Sequence, residues 1–176
     1  MPAPLDPKQV HQMIQESFDM RDKAYCPYSK FQVGAAILCA DGTVIGGCNV
    51  ENASYGAGIC AERTAIPKAI SMGQRSFTAL AVSSNVPSPS VSPCGICRQV
   101  IREFFPLSTP IIMLASTYPR DSASPPPALL SALSAHGLTA AEAGSDTDKW
   151  SGLVKIMTLE ELLPMSFGPE QLDMTK

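Results

Sequence analysis

Two cysteine-bearing segments constrain what this chain can fold into more than any other feature. Cys60-Ala61-Glu62 and Pro93-Cys94-Gly95-Ile96-Cys97 each stand where a strand or loop feeds a helix N-terminus. There the helix dipole and the free amides favour thiolate over thiol. If the three sulfurs act together, the fold must bring two helix starts to one point.

The surrounding pattern describes such a fold. Asp6-Pro7 supplies the N-cap and first position of a helix, and an apolar stripe from Val10 through Phe18 and Ala24 carries it to Tyr25 before Pro27 stops it. Val33–Cys39 and Val44–Val50 read as strands around an Asp41-Gly42 turn. A second helix runs from about Cys60 to Met72, with Gly73 placed to end it. Phe77–Ser83 reads as a buried strand, and a helix after Cys94 ends before Pro106. Pro110–Leu114 and Leu153–Met157 read as two further strands, and Thr158 with Glu161 forms a capping box opening a short helix to Leu163. The order α-β-β-α-β-α-β-β-α predicts an α/β fold: a mixed five-stranded sheet covered by helices on both faces. Residues 1–176 read as a single domain without internal repeats.

One stretch departs from this regularity. Ala115–Gly152 is rich in Ser, Ala and Pro, and so long a connection is usually functional or disordered. Ala128–Ala135 is expected to form two helical turns closed by Gly137, within a mostly disordered surface excursion. On that reading, replacing Ser116–Lys149 by a short Asp-Gly turn leaves a folded, active oligomer.

Composition narrows the partners. A net charge of −3, without a basic cluster, is unsuited to a nucleic acid polymer and suits a small ligand better. No apolar run approaches the roughly 20 residues of a membrane helix, and the first residues lack a secretory apolar region, so a cytoplasmic protein is expected. Six cysteines in such a chain are expected as reduced thiols or metal ligands rather than three disulfides.

A lone Cys-x-x-Cys is weak, since redox pairs and zinc knuckles share it. Taken with Cys-Ala-Glu upstream and Pro before Cys94, it matches the pattern of zinc deaminases that use three cysteines. Three thiolates on Zn²⁺ leave one tetrahedral corner open for water, which marks a catalytic site. Glu62, on the first turn of its helix, can reach that corner and move protons. Three thiolates also leave the ion with a net negative charge, and Arg63 beside them can offset it by donating to the sulfurs. Asn49 and Glu51 stand two apart near a strand end, so their side chains share a face and offer hydrogen bonds suited to a sugar hydroxyl. Phe31 and Phe167 read as core by default, and Cys26, Cys39 and Cys48 as buried apolar residues.

Five segments carry a resemblance to a known family: Cys26–Ala36, Gly47–Ala53, Ile59–Ala65, Ser92–Gln99 and Leu162–Pro169. In order and spacing they resemble the small homotetrameric cytidine deaminases; only Ala115–Gly152 departs, where that family has a short hairpin connection. The resemblance implies a cytidine deaminase-like α/β/α fold with one Zn²⁺ per chain on Cys60, Cys94 and Cys97. It implies hydrolysis at C4 of cytidine or deoxycytidine, a nucleoside substrate, with Glu62 protonating N3 and then the leaving amine. Backbone groups near Ala61 and Ser92 would hold the base, Asn49 and Glu51 the ribose, and Phe31 the ring. Phe167 and Tyr55 would reach in from a neighbouring subunit of the homotetramer. A deaminase of a cytosine-bearing antibiotic shares the three cysteines, but Asn49-Val50-Glu51-Asn52 argues against it. A polynucleotide-editing deaminase and a structural-zinc binding module are weaker rivals: the chain is acidic, and its motifs offer no fourth protein ligand.

Overall fold

Asp6 starts the first helix by accepting from the Lys8 N–H at 2.8 Å through its carboxylate, and Pro7 follows where its missing N–H costs nothing. A computed structural model of the chain describes residues 5–87, 90–120, 125, 129 and 153–172. Its elements, in chain order, are α1 (Pro7–Asp22), β1 (Val33–Cys39), β2 (Val44–Cys48), α2 (Ala61–Ser71), β3 (Phe77–Ser84), α3 (Gly95–Phe104), β4 (Pro110–Leu114), β5 (Val154–Thr158) and α4 (Leu159–Leu162). Two boundaries fall short of expectation for one reason. α1 ends at Asp22 instead of Tyr25, and β2 at Cys48 instead of Val50, because Tyr25 and Val50 pair with each other outside the sheet. Val50 also bridges to Ile59, so this crossing holds the approach to α2.

The strands form one mixed sheet in the order β2-β1-β3-β4-β5. Only β3 and β4 run parallel, and α3 makes the crossover between them. Alternate side chains of the central strands feed two cores. Ala35, Ile37, Leu80, Val82, Ile111 and Met113 face α2, α3 and α4. Ala36, Leu38, Ala79, Ala81, Ile112 and Leu114 face Val10, Met13, Ile14 and Phe18 of α1. The sheet is thus covered on both faces, as expected. Helix α2 lies hard against β2, where a Cβ on Gly47 would come within 2.4 Å of Ala65 N and 2.8 Å of Ala61 O. Only glycine allows this approach, and it places the start of α2 beside the sheet.

β4 and β5 pair antiparallel from Pro110↔Thr158 to Leu114↔Val154, and Ala115 N donates to Leu153 O at 2.9 Å. The connection between them therefore returns to where it left. Its first part is not a surface excursion, contrary to expectation. Tyr118 is 4% exposed and stacks on Phe18 with centroids 5.8 Å apart. The Arg120 guanidinium pairs with Asp19 at 2.9 Å and Asp22 at 2.7 Å, and with Arg21 it flanks the Phe18 ring. Leu129, helical and buried, joins the same core; the remainder of the expected helix at Ala128–Ala135 lies outside the described residues. The Ser/Ala/Pro composition concealed this, because two apolar anchors suffice to dock a polar segment. Replacing Ser116–Lys149 by an Asp-Gly turn removes both anchors and is expected to destabilise the protein. Tyr118→Ala alone is expected to cost about 3 kcal/mol, as other buried aromatic truncations do. Urea denaturation checks this: an unchanged midpoint would show that the segment merely rests on the surface.

Candidate active site

Cys60 is the N-cap of α2 and Cys94 the N-cap of α3, yet neither side chain bonds back to its helix. Their sulfurs are left free to converge. Cys60 Sγ and Cys94 Sγ are 3.9 Å apart, and with Cys97, fully buried in the first turn of α3, all three sulfurs lie within 4.8 Å of one another. All are free thiols. Arg63 Nη2 donates to Cys60 Sγ at 3.4 Å, which places the guanidinium where sequence reasoning put it. Its Nε is buried without a partner among the described residues.

The electrostatics of the trio point to a cation. Hydrogen bonds from Cys97, then Arg63 and Cys94, hold the Cys60 thiol down to about 5 despite its burial. The Cys97 thiol is pushed up instead, because it donates a hydrogen bond to the Cys60 thiolate, is buried, and faces the charges of Glu62 and Cys60. Without a cation, such crowded sulfurs must share protons. A soft divalent ion is what lets all three ionise, and three thiolates at this spacing fit tetrahedral zinc with one position open. Among the described residues, no fourth His, Cys, Asp or Glu joins the trio. Cys26 and Cys39 are buried, burial pushing the Cys39 thiol up to about 11, and half-buried Cys48 donates to Lys23 O at 3.7 Å.

Glu62 is 3% exposed, and burial raises its carboxyl above the ordinary range, helped by the Cys60 thiolate. It lines a cleft of about 370 Å³ together with Cys60, Cys94 and Arg63. The same cleft is lined by Phe31, Asn49, Glu51, Tyr55 and Ser92, so the structure gathers most residues singled out in the sequence. Ala61 is fully buried, leaving only its backbone to act at the start of α2. Phe31 is 37% exposed and belongs to neither core. Phe167 is 57% exposed and lies outside the cleft of its own chain, whereas Tyr55, expected from a neighbour, lines the cleft of its own.

Asn49 and Glu51 reach the cleft differently from the expected shared strand face, since both lie beyond the end of β2. The Asn49 amide ties the backbone beside it: Oδ1 accepts from Val33 N and Nδ2 donates one of its two N–H groups to Phe31 O, both at 2.8 Å. It therefore holds the segment carrying Phe31. Glu51 Oε2 accepts from the N–H groups of Tyr28 and Ser29 at 2.9 and 3.2 Å. Hydrogen bonds from Ser29 and Tyr28 keep its carboxyl below the ordinary range, so it faces the cleft as an acceptor. Sequence reasoning missed Ile59 and Val91, apolar cleft walls without a motif of their own. It also missed Arg98, whose partners are carbonyls and a hydroxyl that no spacing announces.

Three converging cysteines at two helix starts and a buried glutamate beside an open cleft define a zinc-deaminase type of site. Comparison with known proteins agrees. Residues 7–113 match the family described as the cytidine and deoxycytidylate deaminase zinc-binding region. A cytidine deaminase of Sporosarcina psychrophila is 56% identical over 104 residues, covering 59% of this chain and 76% of that protein. One from Halalkalibacterium halodurans is 52% identical over 101 residues, covering 57% of this chain and 76% of its own length. The crystal structure of the cytidine deaminase from Burkholderia pseudomallei superposes with a TM-score of 0.67 at 34% identity, covering 89% of this chain and 98% of that one. This chain belongs to the cytidine and deoxycytidylate deaminase family.

Proposed function

We propose that this chain is a cytidine deaminase, hydrolysing cytidine and deoxycytidine to uridine and deoxyuridine with release of ammonia. The observation that carries this reading is the buried Glu62 carboxylate beside three convergent sulfurs, in a cleft whose wall also carries Glu51 and Phe31. Cys60, Cys94 and Cys97 would hold one Zn²⁺ per chain, which when bound supplies Lewis acidity that brings water toward ionisation near neutral pH. Arg63, donating to Cys60, tempers the charge of the thiolates.

Glu62 does the proton work. It takes a proton from the attacking water and delivers it to N3 as the C4–O bond forms. It then carries the remaining proton of the new C4 hydroxyl to the amino group, so that the C4–N bond breaks, C4 becomes a carbonyl and ammonia leaves. A carboxyl whose pKa burial raises suits both tasks, because it takes up and returns a proton more readily than an exposed carboxylate would. Backbone groups at Ala61 and Ser92 fix the edges of the base, and Phe31 packs on its ring. Glu51 accepts from a ribose hydroxyl, and Asn49 binds the same hydroxyl through the part of its amide that the backbone bonds leave unused. Exposed Phe167 would complete a neighbouring subunit's site in a homotetramer. Tyr55, exposed while lining its own cleft, would reach toward a neighbouring subunit's site in the same assembly. Residues 1–176 would form one such domain with an insertion, in a cytoplasmic enzyme of pyrimidine salvage. In the structure no helix of the described residues is long and apolar enough to cross a membrane.

The test is a substrate panel: cytidine and deoxycytidine beside cytosine, dCMP and short single-stranded DNA, followed by ultraviolet absorbance. Turnover restricted to the two nucleosides is expected, and preference for the free base or the polymer would contradict the reading. Glu51→Ala is expected to raise KM and lower kcat/KM for cytidine by roughly 10–100-fold, the usual cost of losing a charged hydrogen bond. Unchanged constants would remove Glu51 from the sugar.

A further inference from the structure

Arg98 has no carboxylate partner among the described residues, and its guanidinium engages three neutral oxygens instead. Nε donates to Pro93 O at 2.7 Å, Nη1 to Leu162 O at 2.7 Å and Nη2 to Ser92 Oγ at 2.9 Å. These acceptors lie in two separate parts of the chain. Ser92 and Pro93 form the approach to α3 immediately before Cys94, and Leu162 ends α4.

That approach lacks fastenings of its own. Pro93 has no N–H to donate, and the Cys94 side chain does not cap α3. Yet Ser92 lines the cleft beside Cys94 and Glu62, where a displacement of an ångström matters. We propose that Arg98 is a positioning residue, its fork locking Ser92 and Pro93 against α4 and so fixing the cleft wall that meets the reacting edge of the pyrimidine. Because Arg98 donates to Ser92 Oγ, the serine hydroxyl keeps its own proton to donate elsewhere. A lysine supplies the same charge but cannot reach three divergent acceptors from one planar group.

This inference rests on the proposed nucleoside chemistry, and its test separates the two. Wild type, Arg98→Lys and Arg98→Gln are assayed on cytidine, with zinc content and urea unfolding measured on the same preparations. Both variants are expected to keep zinc at the wild-type level and remain folded at the assay temperature. Their kcat/KM falls by roughly 10²-fold, mainly in kcat, because the reacting end of the base is misplaced. Wild-type kinetics in Arg98→Lys would overturn the inference, showing that charge alone suffices. Activity that falls only in step with lost zinc or lost folded protein would overturn it too, assigning Arg98 a purely structural role. Absence of cytidine turnover by the wild type would instead overturn the functional reading beneath it.

Discussion

Glu62→Gln is expected to reduce kcat on cytidine by about 10²–10⁴-fold or more while the chain still folds and still holds zinc. The side chain is 3% exposed at the start of α2, so glutamine of nearly equal volume fills the same space without opening a cavity. What changes is chemistry. An amide cannot take a proton from water, carry it to N3 or hand one to the leaving amine. Burial is what makes the original carboxyl suitable, and the amide gains nothing from it. Full turnover by a purified, zinc-loaded Glu62→Gln protein would remove Glu62 from the reaction.

A comparable loss is expected when the sulfur trio is broken. Cys60→Ala, Cys94→Ala and Cys97→Ala should each lose zinc and activity together, because two thiolates no longer define a closed set of protein ligands. The structural cost should differ among them. Cys97 is fully buried, whereas Cys94 is exposed, so Cys97→Ala should also lower the unfolding midpoint more. Metal analysis beside kinetics reads both effects. A variant that keeps zinc at the wild-type level and full activity would show that its cysteine is not a ligand.

The sheet and the cysteine site were legible in the sequence because local signals and the required assembly agree there. β1 carries a continuous apolar run buried on both faces, and Thr158 with Glu161 closes the capping box that opens α4. Cys60 and Cys94 were identified where a strand or loop feeds a helix, and both are the N-cap residues of their helices. What escaped was decided by long-range partners. α1 stops early because Tyr25 pairs with Val50, a contact between segments with no pattern linking them. The Ala115–Gly152 connection reads as polar and loose, yet Tyr118 and Leu129 enter the core and Arg120 pairs with α1. Asn49 lines the cleft, and its amide also ties the backbone of Phe31 and Val33, a pair of bonds that alternation along a strand does not foresee. Arg98 sits within the Ser92–Gln99 segment, but the oxygens its fork reaches include one on Leu162, far along the chain, which no spacing announces.

The most direct measurement is ammonia and uridine formed per cytidine consumed, before and after a chelator strips the purified protein and zinc is restored. The account predicts one ammonia and one uridine for each cytidine, loss of both on chelation, and recovery on adding zinc. No ammonia from the zinc-loaded protein, or undiminished turnover in metal-free protein, would contradict it.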